Sequence, residues 1–249
     1  VMDAGCYTND GYTPPSYTAH ERDFLGWCEL DTLPENEEVT LEPFGKGNKA
    51  YVLYNPNNNN EYLTFEYHNP DGSWDQHWGG YGLHGMLVIH TDYDAGVWYS
   101  NTVNCDPEHQ HCTVVPADNE LLAYDRYSDG VVTGDEWYHN FVSDIFPGEK
   151  KISKLDTIEN QHYKWFDGPT IMSILQDIKE AEDFSNVTFT VKTKKSGQVE
   201  AIELIQSDKS IQGIYNLNGN YICNSIESVK EQGIYIVKYS NGESAIYRK

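Results

Sequence analysis

Basic residues are scarce in this sequence. Seventeen Lys and Arg stand against 39 Asp and Glu among 249 residues, a formal charge of −22. That field repels a polyanion such as nucleic acid and draws divalent cations and basic peptides. Long apolar runs are missing as well. Nothing approaches the roughly 20 consecutive apolar residues of a membrane-spanning helix, so no membrane span is expected. Cysteine is sparse: Cys6, Cys28, Cys105, Cys112 and Cys223 permit at most two internal disulfides, which fits an oxidising compartment without requiring one. The opening Val1-Met2-Asp3-Ala4-Gly5 has neither the basic nor the apolar region of a signal peptide, so a processing boundary is expected at Val1. Catalytic signatures are lacking too. There is no H-E-x-x-H to hold zinc and activate its water, no G-x-S-x-G elbow and no phosphate-cradling glycine loop. The nearest string, His20-Glu21-Arg22-Asp23-Phe24, has no second His. The chain alone is therefore expected neither to bind zinc tightly nor to cleave protein.

What is present is punctuation and alternation. Gly11, Pro14 and Pro15 break an opening loop, and Thr18-Ala19-His20-Glu21 has the form of a capping box that starts a short helix over about Ala19–Trp27. From Asp31 to Tyr67 the pattern is that of strands. Val39 and Leu41 alternate, and Ala50–Tyr54 and Tyr62–Tyr67 flank the turn run Asn55–Asn60 like the arms of a hairpin. Met86-Leu87-Val88-Ile89 is short and wholly apolar, as in a strand buried on both faces. Residues 91–168, rich in Asp, Asn, Tyr, Gly and His, are expected to be long loops over a β framework. Ile171, Ile174, Leu175 and Ile178 suit a helix, whereas Met172, Ile174, Gln176 and Ile178 suit an imperfect strand. A strand is chosen because Val187, Phe189 and Val191 alternate beyond a polar turn and can pair with it. Lys192–Lys195 reads as a linker. Beyond it, Tyr215-Asn216-Leu217-Asn218-Gly219, the alternating Ile234, Ile236 and Lys238, and the hairpin signal Asn241-Gly242 predict an independent all-β module.

Several groups are candidates for chemistry. Asp92, Asp94, Asn104, Asp106 and Asp118 are close enough in sequence to build a calcium site from loops, and Asp125, Asp129 and Asp135 around Gly130 and Gly134 form a second candidate without EF-hand spacing. Cys105 and Cys112 are expected to close a loop disulfide in preference to joining His109 and His111 around zinc. His84 and His90 read as hydrogen-bonded structural histidines. Trp74, Trp78, Trp98 and the 19 tyrosines suit a β core and its rim, unless several rings line one exposed face, where they would form a sugar-stacking platform.

The strings Val1–Tyr7, Asn9–Arg22 and Phe24-Leu25-Gly26-Trp27 together resemble the stretch that follows the zinc helix in the immune-inhibitor-A-like secreted metallopeptidases. The resemblance continues through Glu61-Tyr62-Leu63, Glu66, Gly85–Tyr93, Asn101-Thr102-Val103-Asn104, Asp106-Pro107, His109, Phe146-Pro147-Gly148 and Trp165. It implies that Met2 supports the metal from a Met-turn, and that the zinc ligands and general base precede Val1. Where the family commonly has an Asn-x-Arg-like pair after the strand glutamate, this chain has Glu66-Tyr67-His68, which leaves Glu66 without the expected arginine. The tail, with Ile214–Gly219 and Gly233–Lys238, resembles the type IX secretion sorting domains of Bacteroidetes-type bacteria.

Together these readings predict a mostly β, α+β chain. Residues 1–35 would be a zincin lower-subdomain remnant with one short helix, 36–192 a β-sandwich-like body, and 193–249 a small all-β module that secretion machinery would recognise. The implied protein is a secreted or cell-surface zinc endopeptidase acting on protein or peptide, with zinc bound outside this chain and calcium as a further ion. The alternative is a non-catalytic surface module for glycan or protein.

Overall fold

Eight strands among the described residues of the first part of the chain form two sheets around a shared core. The computed structural model describes residues 4–70, 74–80, 83–120, 133–194, 211–239 and 244–249, and the chain divides into two compact units, residues 1–193 and 194–249. In the first unit one sheet has the order β1 (Asp31–Thr32), β3 (Tyr51–Asn55), β4 (Asn58–His68), β5 (Gly85–Asp92), β6 (Cys112–Val114). The other has the order β2 (Glu38–Leu41), β8 (Val187–Thr193), β7 (Ser173–Glu180). Leu63, Phe65 and Tyr67 of β4 and Met86 and Val88 of β5 join Val39, Leu41, Leu175, Val187, Phe189 and Val191 in one buried cluster. The chain is thus mostly β with a few short helices, and no helix among the described residues is long and apolar enough to cross a membrane.

Cross-strand pairing decides which side chains share a face. β4 and β5 run antiparallel, with Glu61 opposite Asp92, Leu63 opposite His90 and Phe65 opposite Val88. Directly opposite residues point to the same side, and alternate residues along a strand repeat it. Glu61, Leu63, His90 and Asp92 therefore form one row running from the core to the strand end. The other row, Tyr62, Thr64, Glu66 and His68, lies on the face where α1 (Ala19–Phe24) and α2 (Phe44–Gly47) meet β4. β5 is buried on both faces because the second face, Leu87 and Ile89, packs against Val142 and Ile145.

Two expectations about helices need correction. The first helix ends at Phe24, not Trp27. Gly26 adopts φ +69, and the amides of Gly26 and Trp27 donate to the Asp23 and Arg22 carbonyls at 2.9 and 2.8 Å, the Schellman stop that a glycine after the last turn favours. Its start has both halves of the expected Thr18–Glu21 capping box. Residues 91–168 are not all loop: they contain α3 (Ala95–Tyr99), β6 and α4 (Gly134–Ser143). The start of α4 is another capping box, in which Thr133 N and Oγ1 donate to Glu136 Oε2 at 2.8 and 2.9 Å and Glu136 N donates back to Thr133 Oγ1 at 3.2 Å. The hairpin between β3 and β4 is also tighter than the turn run Asn55–Asn60 suggests, closing with Asn55 opposite Asn58.

The second unit is a four-stranded antiparallel sheet, β9 (Ile211–Asn216), β10 (Tyr221–Cys223), β11 (Ile234–Tyr239) and β12 (Ser244–Arg248), in the order β10-β9-β11-β12. It has its own core of Ile214, Val229, Tyr235, Val237 and Tyr239. Gly219 takes φ +82 in the turn between β9 and β10. The Asn241-Gly242 signal lies outside the described residues, between strands that pair as a hairpin from Lys238–Ser244 to Ile234–Arg248.

Candidate functional site

The N-terminal segment is tied to β4 by a buried network of charges. The Ala19 amide at the start of α1 donates to Glu66 Oε2. The Ser16 amide and hydroxyl both donate to Asp75 Oδ1, at 2.9 and 2.5 Å. Between the two carboxylates sits His68, with Nδ1 donating to Asp75 Oδ2 at 2.9 Å and Nε2 3.4 Å from Glu66 Oε1. Glu66 and His68 are two residues apart on one strand, so both face the segment they anchor. Burial by itself would depress the His68 imidazole, but its bonds to Asp75 and Glu66 and their charges lift it to about 9. Burial likewise opposes ionisation of Asp75, yet the His68 bond and charge and the Ser16 donors bring that carboxyl down to about 2. His68 thus supplies the positive charge between Glu66 and Asp75.

The outer side of this segment is aromatic. Phe24 and Trp27 are 66% and 55% exposed. Phe24 lies 5.8 Å from Tyr93, Tyr93 lies 5.1 Å from Trp98, and Trp98 presents its edge to His111 at 6.2 Å, all between ring centroids. His20 lies 6.0 Å from Trp98, and its Nδ1 is 2.5 Å from the Tyr62 hydroxyl. Burial lowers the His20 imidazole, and burial raises the Tyr62 phenol strongly. The surface from α1 to the loop after β5 is therefore continuous. Trp74 is exposed apart from these ring contacts, and the side chain of Trp78 is not among those described.

At the end of β5, Asp92 meets two histidines. His109 Nε2 lies 2.8 Å from Asp92 Oδ2, while His111 Nδ1 is 2.7 Å from the Asp92 carbonyl and 3.5 Å from Oδ2. Asp92, His109 and His111 are, among the described residues, the group of His, Cys, Asp or Glu whose ligand atoms all lie within 4.8 Å of one another. The rings of His111, His109, Phe166 and His90 follow in a stack, at centroid spacings of 4.5, 3.9 and 4.8 Å. His90 itself bonds Glu61 at 2.9 Å in the buried row below. Burial opposes ionisation of Glu61, but His90, the Phe166 amide and Asn55 together hold its carboxyl below the ordinary range.

The other candidates have separate partners. Asp94 caps α3 through the Gly96 and Val97 amides, Asp106 accepts from the Glu108 amide, and Asn104 bonds the Cys112 backbone in both directions. Asp118 has a cation already: Lys150 Nζ at 2.6 Å. Beside it, burial and the Asp118 charge push the Asp144 carboxyl up to about 7. Asp92 alone of the five calcium candidates belongs to the metal-type group, and its companions there are imidazoles. Met2, Asp125 and Asp129 lie outside the described residues, and Asp135 occupies the first turn of α4. Cys105 and Cys112 are free thiols, not the expected disulfide, and burial pushes Cys112 up to about 11. His84 bonds Glu180 at 2.8 Å and stacks on Phe184, as a structural histidine does. Compared with family models, curated proteins and solved structures, the chain matches none.

Proposed function

We propose that this chain is the C-terminal part of a secreted zinc endopeptidase and forms the floor and one wall of its active-site cleft. The observation that carries this reading is the first segment. The residues with the post-zinc-helix resemblance are anchored by buried charges to β4, while Phe24, Leu25 and Trp27 are left exposed on the other side. An apolar strip at the end of so firmly held a helix and in the turn after it suits a surface over which another part of a longer polypeptide, or its peptide substrate, lies. The zinc ligands and the general base belong to residues ahead of Val1. The chain's own residues do not supply that set, so no hydrolytic step is assigned to them.

The reading frame upstream of Val1 is expected to encode an H-E-x-x-H helix, and the longer polypeptide to digest casein in an EDTA-sensitive way that residues 1–249 alone do not match. An upstream frame without such a helix, or a longer polypeptide without the activity, would overturn the proposal. The aromatic row of exposed Phe24 and half-buried Tyr93 and Trp98 favours a second reading, a surface module for glycan or protein that stacks sugar rings. In that case glycan binding, lost in Phe24→Ala, would appear without any upstream zinc helix.

The second unit, on this proposal, is the part recognised by export machinery. Trypsin is expected to cut first around Lys194, between the two units, and to release residues up to Lys249 as a stable fragment. Deleting residues 194–249 is expected to retain the protein in the cell envelope with the first unit still folded. Surface delivery of the truncated chain would rule out the sorting role.

A further inference from the structure

We propose that Asp92, His109 and His111 bind a divalent first-row transition ion, for which Zn2+ is the reference, through one carboxylate oxygen and two imidazole nitrogens. The inference goes beyond the peptidase reading, rests on residues of this chain alone, and replaces the expectation that the chain by itself binds no zinc tightly. Spacing is the first argument. Two ligand atoms on a tetrahedral zinc with bonds near 2.0–2.1 Å stand about 3.3 Å apart. Asp92 Oδ2 lies 2.8 Å from His109 Nε2 and 3.5 Å from His111 Nδ1, values on either side of that separation. All three ligand atoms lie within 4.8 Å of one another, close enough for side-chain adjustment to bring them onto one ion.

The donor set is the second argument. Two imidazoles and a carboxylate suit zinc and its first-row neighbours, whereas calcium takes six to eight oxygens. Three protein ligands also leave a position for water or a ligand atom. The group is reachable, since His109 is 39% exposed while Asp92 and His111 are partly covered. Neither Cys105 nor Cys112 belongs to the group.

Rigidity is the third argument. The Asp92 amide donates to the His111 carbonyl at 2.8 Å, the Tyr93 amide to Asn60 at 2.8 Å, and the His111 amide to Val103 at 3.1 Å. His109 is held flat on Phe166. The loop is therefore fixed by its backbone and by stacking before any ion arrives. His109 Nε2 already faces the Asp92 carboxylate at 2.8 Å and His111 Nδ1 the Asp92 carbonyl at 2.7 Å. On binding, the ring nitrogen facing Asp92 presents its lone pair to the metal, and any proton it carries leaves for the far nitrogen or the solvent. Acid weakens the site because protons compete for the same nitrogens. The net acidic charge of the chain favours the encounter.

The test uses the metal-stripped chain 1–249, titrated with Zn2+, Co2+ and Ca2+ at neutral pH by calorimetry and equilibrium dialysis. One equivalent of Zn2+ or Co2+ is expected, with Ca2+ unable to displace it and with no thiolate-to-cobalt charge-transfer band. Bound Co2+ should also quench the fluorescence of Trp98. His109→Ala and His111→Ala are expected to weaken binding by ~100-fold or more, beyond the 10–100-fold that loss of an outer partner alone gives. Cys105→Ser should leave it unchanged. Circular dichroism and melting without metal establish that each variant folds, and His109→Gln serves where the alanine variant does not. The proposal is overturned by absence of saturable binding in the folded chain, by undiminished binding in the folded double histidine variant, or by a thiolate band lost in Cys105→Ser.

Discussion

Replacing His68 with alanine is expected to destabilise the first unit by about 3–5 kcal/mol, the range for removing one partner of a buried ion pair. The imidazolium is what makes two buried carboxylates tolerable: Glu66, Asp75 and His68 side chains are 0%, 5% and 3% exposed. Without it, both negative charges remain inside the protein, and at least one must take up a proton or drag its segment into water. The same pairing sets a pH dependence with two arms. His68 is held at about 9 against an ordinary 6.5, so its contribution is complete below about 6.5 and is lost as pH rises through 9. Asp75 is held at about 2 against an ordinary 3.8, so its contribution is complete above 3.8 and is lost as pH falls through 2. The two shifts are one interaction seen from both ends and are counted once, at about 3 kcal/mol. The part of the wild-type urea midpoint that depends on His68, read as the difference from His68→Gln, should therefore hold between pH 4 and 6.5 and decline towards pH 9. In His68→Gln this part of the alkaline decline should be absent. Equal declines in the two proteins would show that another group causes it. Because Ser16 and Ala19 are anchored to these same carboxylates, loss of the network should free α1 before the core opens, visible as early amide exchange in residues 19–24.

The signals that could be read from the sequence were those acting over a few residues. The Thr18–Glu21 capping box defined the start of α1, and the apolar Met86–Ile89 run marked a strand buried on both faces. Thr133-Gly134-Asp135-Glu136 has the same capping grammar, but the loop-like composition around it hid α4. The two periods that fit Ile171–Ile178 have a physical origin. Asp177 adopts φ +56 where the β7–β8 register shifts, and this bulge lets Leu175 and Ile178 both face the core, as a helical spacing would. The candidate metal group was legible only in part. His109 and His111, two apart, suggest a shared face, but no local pattern links them to Asp92, seventeen residues before His109. Only the antiparallel return of β6 against β5, with Thr91 opposite Cys112, brings that carboxylate to the histidines. Long-range partners such as Ser16 with Asp75 left no local pattern at all.

Gly148→Ala is expected to cost about 3 kcal/mol or more and to loosen the turn that leads from α4 back to β5. Gly148 has φ +60, and a Cβ there would lie 2.5 Å from the Ile145 carbonyl oxygen and 3.2 Å from that of Val142. Both obstacles are backbone atoms, so no side chain can swing aside. The left-handed conformation alone costs a non-glycine residue about 1–2 kcal/mol, and the overlap adds a further ~1–3 kcal/mol. Gly26→Ala separates the two effects, because Gly26 has φ +69 with nothing within 4 Å of its added Cβ. It should show the conformational cost alone. The turn matters because the Met86 amide donates to the Phe146 carbonyl at 2.7 Å and the Phe146 amide returns a bond at 2.9 Å. Gly85 sits so close that its own Cβ would be 2.9 Å from the same Phe146 oxygen. Displacing Phe146 therefore pulls on the first residues of β5, whose far end carries Asp92, and exposes Leu87 and Ile89 as Val142 and Ile145 withdraw. Denaturation curves of Gly148→Ala and Gly26→Ala, measured side by side, should differ by at least about 1 kcal/mol. Equal stabilities would mean that the chain relaxes around the added methyl and that the close approach at Gly148 does not constrain the fold.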